Sequence, residues 1–325
     1  MAVAQARLLG IPYTADSGNP QLQFDVYFYP QALQRGGDAG ANEIPRGGKG
    51  LGFLVFVHGG AWRSEDKADH ASLARRLCEQ TGWPVLVPNY RLTSTTRTAD
   101  PNAMFRHPGH TEDTLAFLEF ITNEWTPPIE AGIDAQSISV VLIGHSCSAH
   151  MLCSIFLDSS AATPTLTPSP QLAKAVKGIA MSEGIYDLDL LVQTFPKYSE
   201  WFIDDAFGAR GDGKDYAQYD VTRYQLREGS TDSSTDPISW LLLHSTGDTL
   251  IDTPQSQKMY DHLLKLYDRT PPDEPQSNRS DAQNVQTTVD RDFTTLTNEH
   301  DDILRGDGSY VKLVGEFVAS VEARL

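Results

Sequence analysis

Val140-Val-Leu-Ile-Gly-His-Ser-Cys-Ser-Ala-His-Met151 decides how this chain folds. Val140 to Ile143 form an apolar run that leads straight into Gly144-His145-Ser146-Cys147-Ser148. A short continuous run of this kind reads as a strand buried on both faces. The glycine then marks a sharp turn into a helix. A serine at such a turn is held out of the sheet on a strained backbone, exposed at the strand's C-terminal edge. Upstream lies a second buried run, Phe53 to Val57, followed by His58-Gly59-Gly60-Ala61-Trp62. The two segments together, in this order, point to hydrolytic chemistry at Ser146.

A serine hydroxyl is a weak nucleophile until a base takes its proton. Leu241 to Leu243 form a further apolar strand, and the chain reaches Gly247-Asp248 just beyond it. Asp248 is therefore expected at the same sheet edge as Ser146, with Asp252 as second choice. Asn298-Glu299-His300-Asp301-Asp302 precedes the last helical segment. Of the nine histidines, only His244, His262 and His300 follow the serine at useful distance. His244 reads as part of a strand and His262 as mid-helix, which leaves His300 as the base. His150 falls one helical turn after Ser146 and reads as a packed histidine. A tetrahedral intermediate also needs preorganised donors for its oxyanion. The amide of Gly60 or of Ala61, together with that of Cys147, fits that need, with Gly59 serving the turn. Trp62 either lines the acyl pocket or packs. Arg91 and the His107-Pro108-Gly109-His110 stretch read as architecture that holds loops and starts a helix.

Strands and helices alternate along the chain. Strands are expected over 23–29, 53–57, 84–88, 137–143, 176–181 and 238–244. Helices are expected over 69–80, 110–123, 147–157, 253–267 and 309–324. That alternation predicts a mostly parallel central sheet with helices on both faces, in one domain spanning residues 1–325. Two segments break the rhythm. Residues 187–236 hold aromatics but no clear strand, and read as a small cap over the sheet's C-terminal edge. Residues 269–283 are proline-rich and polar, and read as a mobile surface insertion.

Composition narrows the function further. With 40% hydrophobic and 21% charged residues, the chain is an ordinary globular one. A net charge of −17 disfavours nucleic acid and anionic membranes as partners. The expected partner is a small-molecule substrate, and a homodimer is left open. Cys78, Cys147 and Cys153 make no disulfide framework, and the odd count fits a reducing compartment. No signal peptide or membrane span is evident, so the cytoplasm is the default location. No Cys/His cluster suggests a metal, and no cofactor is expected.

These motifs resemble a known family. The Gly-His-Ser turn is similar to the nucleophile elbow of the α/β-hydrolase fold. His58-Gly-Gly-Ala-Trp62 places the chain near the His-Gly-Gly-x-Trp esterase and lipase group. With Asn89-Tyr-Arg-Leu92, His107-Pro-x-His110-x-x-Asp113, Gly144-His-Ser-Cys147 and His300-Asp-Asp, it resembles the kynurenine formamidases (arylformamidases) of fungal type. The resemblance runs in motif order from about residue 23 to 322. It implies hydrolysis of N-formyl-L-kynurenine to L-kynurenine and formate in tryptophan degradation. It also implies Ser146 as nucleophile, Asp248 as orienter and His300 as base. Two departures stand out: Ser148 replaces the usual elbow glycine, and residues 269–283 lengthen the interval between Asp248 and His300. The same machinery would serve a carboxylesterase for small acyl esters, one in secondary metabolism included. A hydrolase fold turned ligand-binding protein is the reading from another class. It would be expected to lack a triad member, and here all three candidates are present.

Overall fold

The computed structural model describes residues 6–16, 18–29, 51–96, 104–125, 138–209, 216–227, 237–267 and 289–325. The chain opens with β1 (Ala6–Pro12), β2 (Gln23–Phe28) and β3 (Leu51–Val57). Then come α1 (Ala71–Thr81), β4 (Val85–Pro88), α2 (Gly109–Asn123), β5 (Ile138–His145) and α3 (Cys147–Phe156). After them follow β6 (Leu157–Asp158), α4 (Pro170–Ala175), β7 (Val176–Ser182), α5 (Leu188–Thr194), α6 (Asp204–Phe207) and β8 (Gln225–Leu226). The chain closes with β9 (Ser239–Leu243), α7 (Thr253–Leu266), β10 (Val289–Asp292), α8 (Asp302–Arg305) and α9 (Ser309–Glu322).

Eight of these strands form one sheet in the order β1-β2-β4-β3-β5-β7-β9-β10. From β4 to β10 every pairing is parallel, and only β1 and β2 run against their neighbours. The period of two along each strand builds two cores. Phe53, Val55, Val57, Val140 and Leu142 face a layer with α2, α3 and α7. Leu54, Phe56, Val141 and Ile143 face the opposite layer, with α1 and α9. All nine of these side chains are fully buried, which is why the sequence shows unbroken apolar runs rather than alternation.

Parallel strands in register end level. Val57 pairs with Gly144, His145 with Ser182, and Ser182 with Leu243. The segments that follow β3, β5, β7 and β9 therefore leave the sheet side by side at its C-terminal edge. That edge is where an open α/β sheet places its ligands.

Two edge strands were not anticipated. β1 is interrupted by Gly10 and ends at Pro12, and β10 is Val-Asp-Arg-Asp; neither carries an apolar run. Part of the expected cap region is described. It holds α5, a π-helical turn at Ser199–Ile203, α6, and β8, which pairs with β6 away from the main sheet. Its hydrogen bonds to loops of the sheet edge include Tyr198 Oη to Leu250 O, Thr194 Oγ1 to Asp252 Oδ2, His107 N to Ala206 O, and Arg63 to Trp201 O. The expected insertion at 269–283 lies outside the described residues. Among the described residues no helix is long and apolar enough to cross a membrane.

Candidate active site

Ser146 stands between the last residue of β5 and the first of α3, with φ 58° and ψ −122°. A side chain at positive φ costs about 1–3 kcal/mol and persists only where its surroundings hold it. Here they do: Ser146 N–H donates to Ser182 O at 2.9 Å, and its carbonyl accepts from Ala149 and Ile185. Gly59 presses against the turn from β3; a Cβ there would lie 3.1 Å from Ser146 Cβ. Ser148, in the position of the elbow glycine, is absorbed rather than crowding the turn. Its hydroxyl accepts from His145 N–H at 2.7 Å and is offered to Val57 O at 2.7 Å and His145 O at 2.8 Å. The extra side chain thus ties the end of β3 to the turn.

Asp248 and His300 meet from two loops. Ser245 Oγ donates to Asn298 O at 2.6 Å, and Thr246 N–H to Leu296 O at 2.9 Å. These bonds zip the segment after β9 to the segment before α8. Asp248 Oδ1 then accepts the amides of Leu250 and Ile251, at 2.8 and 3.0 Å. Oδ2 accepts from His300 Nδ1 at 2.7 Å. Burial alone would raise the Asp248 pKa, but the bonds from His300, Glu183 and Ile251 outweigh it and hold it well below the usual carboxylate range. An ionised Asp248 only accepts, so Nδ1 of His300 carries the proton and Nε2 keeps its lone pair. The His300 ring lies against the elbow, 4.7 Å between centroids from that of His145. His145 is itself clamped, Nδ1 to Ser182 Oγ at 3.1 Å and Nε2 to Asp301 Oδ1 at 3.4 Å. Asp252 faces elsewhere and accepts from Thr194 Oγ1 at 2.9 Å.

The loop after β3 takes three successive left-handed residues: Gly60 (φ 84°), Ala61 (φ 52°) and Trp62 (φ 60°). Gly60 is obligatory, because a Cβ there would lie 2.2 Å from Ser64 O. Tyr90 Oη, donating to Gly59 O at 2.6 Å, fixes the loop from below. Cys147 contributes more than its backbone. Its Sγ accepts Trp62 N–H at 3.3 Å, and the Ala61 amide also faces it. Burial pushes this thiol up to about 12, so it stays protonated. Trp62 is fully buried and packs edge-on against Phe207 and His150, at 4.9 and 5.7 Å. Among the described residues, its Nε1 and the Nε2 of nearby His107 have no hydrogen-bond partner. Arg91 makes a bidentate pair with Asp113, and His110 Nε2 meets Thr93 Oγ1 at 2.8 Å, so both serve the scaffold.

Sequence reasoning missed Glu183, the residue after β7. It is fully buried at φ 51°, and its Oε1 accepts Ser245 N–H at 2.8 Å. The signal that would have found it is an acidic residue at the edge of the strand beside the nucleophile strand. Among the described residues, two groups of side chains have the spread of metal ligands: Glu183, Asp248 and His300, and His145, His300 and Asp301. In the first, the 2.7 Å separation of His300 Nδ1 and Asp248 Oδ2 is that of a hydrogen bond. Two ligands on one tetrahedral zinc stand roughly 3.3 Å apart, given bonds of about 2.0 Å.

Several histidines under the site are buried as neutral rings. Burial pushes His58 down to about 4, His110 to about 3 and His150 to about 4. The unfolded chain takes up these protons near pH 6.5 and the folded one only far below. Each ring therefore stabilises the fold above about pH 6.5 and loses that contribution as pH falls toward its folded value, at about 1.4 kcal/mol per pH unit. The urea midpoint is expected to drop steadily from pH 7 to pH 5. A midpoint that stays level over that range contradicts neutral burial.

Comparison with known proteins agrees with this architecture. Residues 54–206 match a family model described as the alpha/beta hydrolase fold. A kynurenine formamidase of Meyerozyma guilliermondii is 28% identical over 212 residues, covering 65% of this chain and 70% of that protein. A kynurenine formamidase-like hydrolase of Fusarium equiseti is 26% identical over 176 residues, covering 48% of this chain and 53% of that protein. Among solved structures, an inhibited esterase B from Lactobacillus rhamnosis superposes with a TM-score of 0.61 at 15% identity, over 98% of this chain and 87% of that one. A truncated carbohydrate esterase from gut microbiota gives 0.63 at 12% identity, over 98% of this chain and 96% of that one. The chain is a hydrolase with the α/β-hydrolase fold. Within that group its likeness is to the fungal kynurenine formamidases.

Proposed function

We propose that the protein is a serine hydrolase that cleaves an aryl formamide, N-formyl-L-kynurenine, to L-kynurenine and formate. One observation supports the mechanism: Asp248 holds the His300 ring by Nδ1, and that ring packs on His145, the residue before Ser146 on its strained elbow. Ser146 Oγ attacks the formyl carbon, and His300 Nε2 takes its proton. The oxyanion that forms is received by the Cys147 amide with that of Gly60 or Ala61. As the C–N bond breaks, His300 returns the proton to the aniline nitrogen, and L-kynurenine leaves. Water, with His300 again as base, then attacks the formyl ester on Ser146 and releases formate. Asp248 stays ionised throughout and balances the imidazolium.

The substrate rests on the two formamidase relatives and on the aromatic surroundings. We read the described part of 187–236 as a cap that walls the pocket. Tyr198, Trp201 and Phe202 pack together there, with Trp201 51% exposed, and Tyr198 bonds the carbonyl of Leu250 beside Asp248. We place Trp62, which packs on Phe202 and Phe207, at the inner side. An aryl ring fits such walls. A generic carboxylesterase should prefer an activated ester, whose leaving group departs more easily than an aniline. We therefore expect kcat/KM on N-formylkynurenine at least about tenfold above that on p-nitrophenyl acetate, roughly 1.4 kcal/mol in transition-state binding. Faster turnover of the ester, with little of the formamide, leaves the triad standing and removes the formamidase reading.

A further inference from the structure

We propose that Glu183 lies beside the Asp248–His300 pair as an uncharged carboxylic acid, donates a hydrogen bond to Asp248, and so sets how tightly Asp248 holds His300. This rests on the reading of Ser146, His300 and Asp248 as the catalytic group. Glu183 acts through Asp248 and is a positioning residue.

The argument starts from placement. β7 lies between the nucleophile strand β5 and β9, so the residue after it emerges between Ser146 and Asp248. Glu183 N–H donates to Leu243 O at 3.1 Å, which pins the backbone to the end of β9. Ligand atoms of Glu183, Asp248 and His300 all lie within 4.8 Å of one another. The side chains of Glu183 and Asp248 are both fully buried. Two carboxylates this close, shielded from water, cannot both be ionised at modest cost. One of them holds a proton.

Hydrogen bonding decides which. Asp248 already accepts from His300 and from the amides of Leu250 and Ile251. Glu183 accepts from Ser245 N–H through Oε1, while its Oε2 has no donor among the described residues. The charge is better satisfied on Asp248, so the proton rests on Glu183, and Oε2 changes from an unmatched acceptor into a donor. Burial first, then the bond to Asp248 and its charge, lift the Glu183 pKa far above the usual carboxylic range. Among the described residues, the other groups nearby supply no compensating positive charge. His244, with Nδ1 3.3 Å from Oε2, is kept neutral by burial, and its Nδ1 also meets Ser256 Oγ at 3.0 Å. Tyr186 and Tyr310 are phenols that burial keeps protonated. Asp252, farther along the same loop, adds only negative charge. Around His300 itself stand Asp248, Asp301 and His145.

The consequence for the reaction has a sign. A donor on Asp248 spreads its charge and makes it a weaker acceptor for the imidazolium. Removing that donor makes Asp248 more basic, so His300 holds its proton to higher pH. If Glu183 were ionised instead, removing it would take negative charge away from His300, and the shift would run to lower pH.

The test uses the full-length protein and two variants. The acid limb of kcat/KM is measured on N-formylkynurenine or, if that is not turned over, on p-nitrophenyl acetate. Glu183→Gln keeps a neutral donor of the same shape and is expected to hold the limb where the wild type has it. Glu183→Leu is expected to move the limb up by about one pH unit and to lower kcat more than it changes KM. A limb that moves down in either variant overturns the proposal, as does a Gln variant that behaves like Leu. Infrared difference spectra of wild type against Glu183→Gln, which need no turnover, give an independent readout. The carboxylic-acid C=O stretch is expected at pH 7 in the wild type and lost in the variant. Its absence from the wild type overturns the proposal even if Leu fails to fold. Loss of activity in Ser146→Ala tests the catalytic reading separately.

Discussion

Ser146→Ala is expected to fold like the wild type and to lose kcat by at least about four orders of magnitude, some 5.5 kcal/mol of transition-state stabilisation. Alanine keeps the Cβ, so the strain at φ 58° is the same in both proteins. The bonds that hold the turn are made by the backbone: Ser146 N–H to Ser182 O, and Ile185 N–H to Ser146 O. Stability should therefore change by less than about 0.5 kcal/mol. Only the nucleophile goes. The oxyanion donors and the pocket remain and can still give about 10³–10⁴ over water, which sets the floor of the residual rate. The measurement is kcat on the formamide and on p-nitrophenyl acetate, with urea unfolding as the control for folding. A fluorophosphonate probe should label the wild type and not the variant. Residual kcat above about a tenth of wild type would place the chemistry elsewhere.

What the sequence revealed of this site follows from how each residue makes its signal. The elbow was legible because β5 is buried on both faces. It therefore reads as Val-Val-Leu-Ile up to a glycine, with nothing polar to confuse it. Asp248 and His300 were legible by order and by elimination among nine histidines. Their contact was not, since it depends on the zip between the segments after β9 and before α8. β10 was illegible for a physical reason. It is a sheet edge, where charged residues such as Asp290 and Arg291 are tolerated. Glu183 was missed because an acidic residue next to a glycine after a strand looks like a solvated turn. Only the register of β7 between β5 and β9 turns it inward. Ser148 looked like surplus bulk; its hydroxyl bonds to Val57 and His145 depend on two segments some ninety residues apart.

Asp248→Asn tests the orienting role with almost no change of shape. The two oxygens of Asp248 do different work. Oδ1 accepts the amides of Leu250 and Ile251, and Oδ2 accepts Nδ1–H of His300. An asparagine places its carbonyl oxygen toward the two amides, because turning it round would set its NH₂ against two N–H donors. Its NH₂ then points at Nδ1 of His300, which must become an acceptor. The imidazole proton moves to Nε2, the nitrogen that has to take the proton of Ser146, and the base is lost in its working form. We expect kcat to fall by about 10⁴ with KM little changed, and the residual rate to climb with pH as hydroxide replaces the base. Asp252→Asn is the control, since Asp252 bonds Thr194 and not His300; its kcat should stay within about threefold of wild type. An Asp248→Asn enzyme that kept more than about 1% of kcat would show that His300 finds its tautomer without this carboxylate. A large loss in Asp252→Asn with little in Asp248→Asn would hand the orienting role to the neighbouring acid.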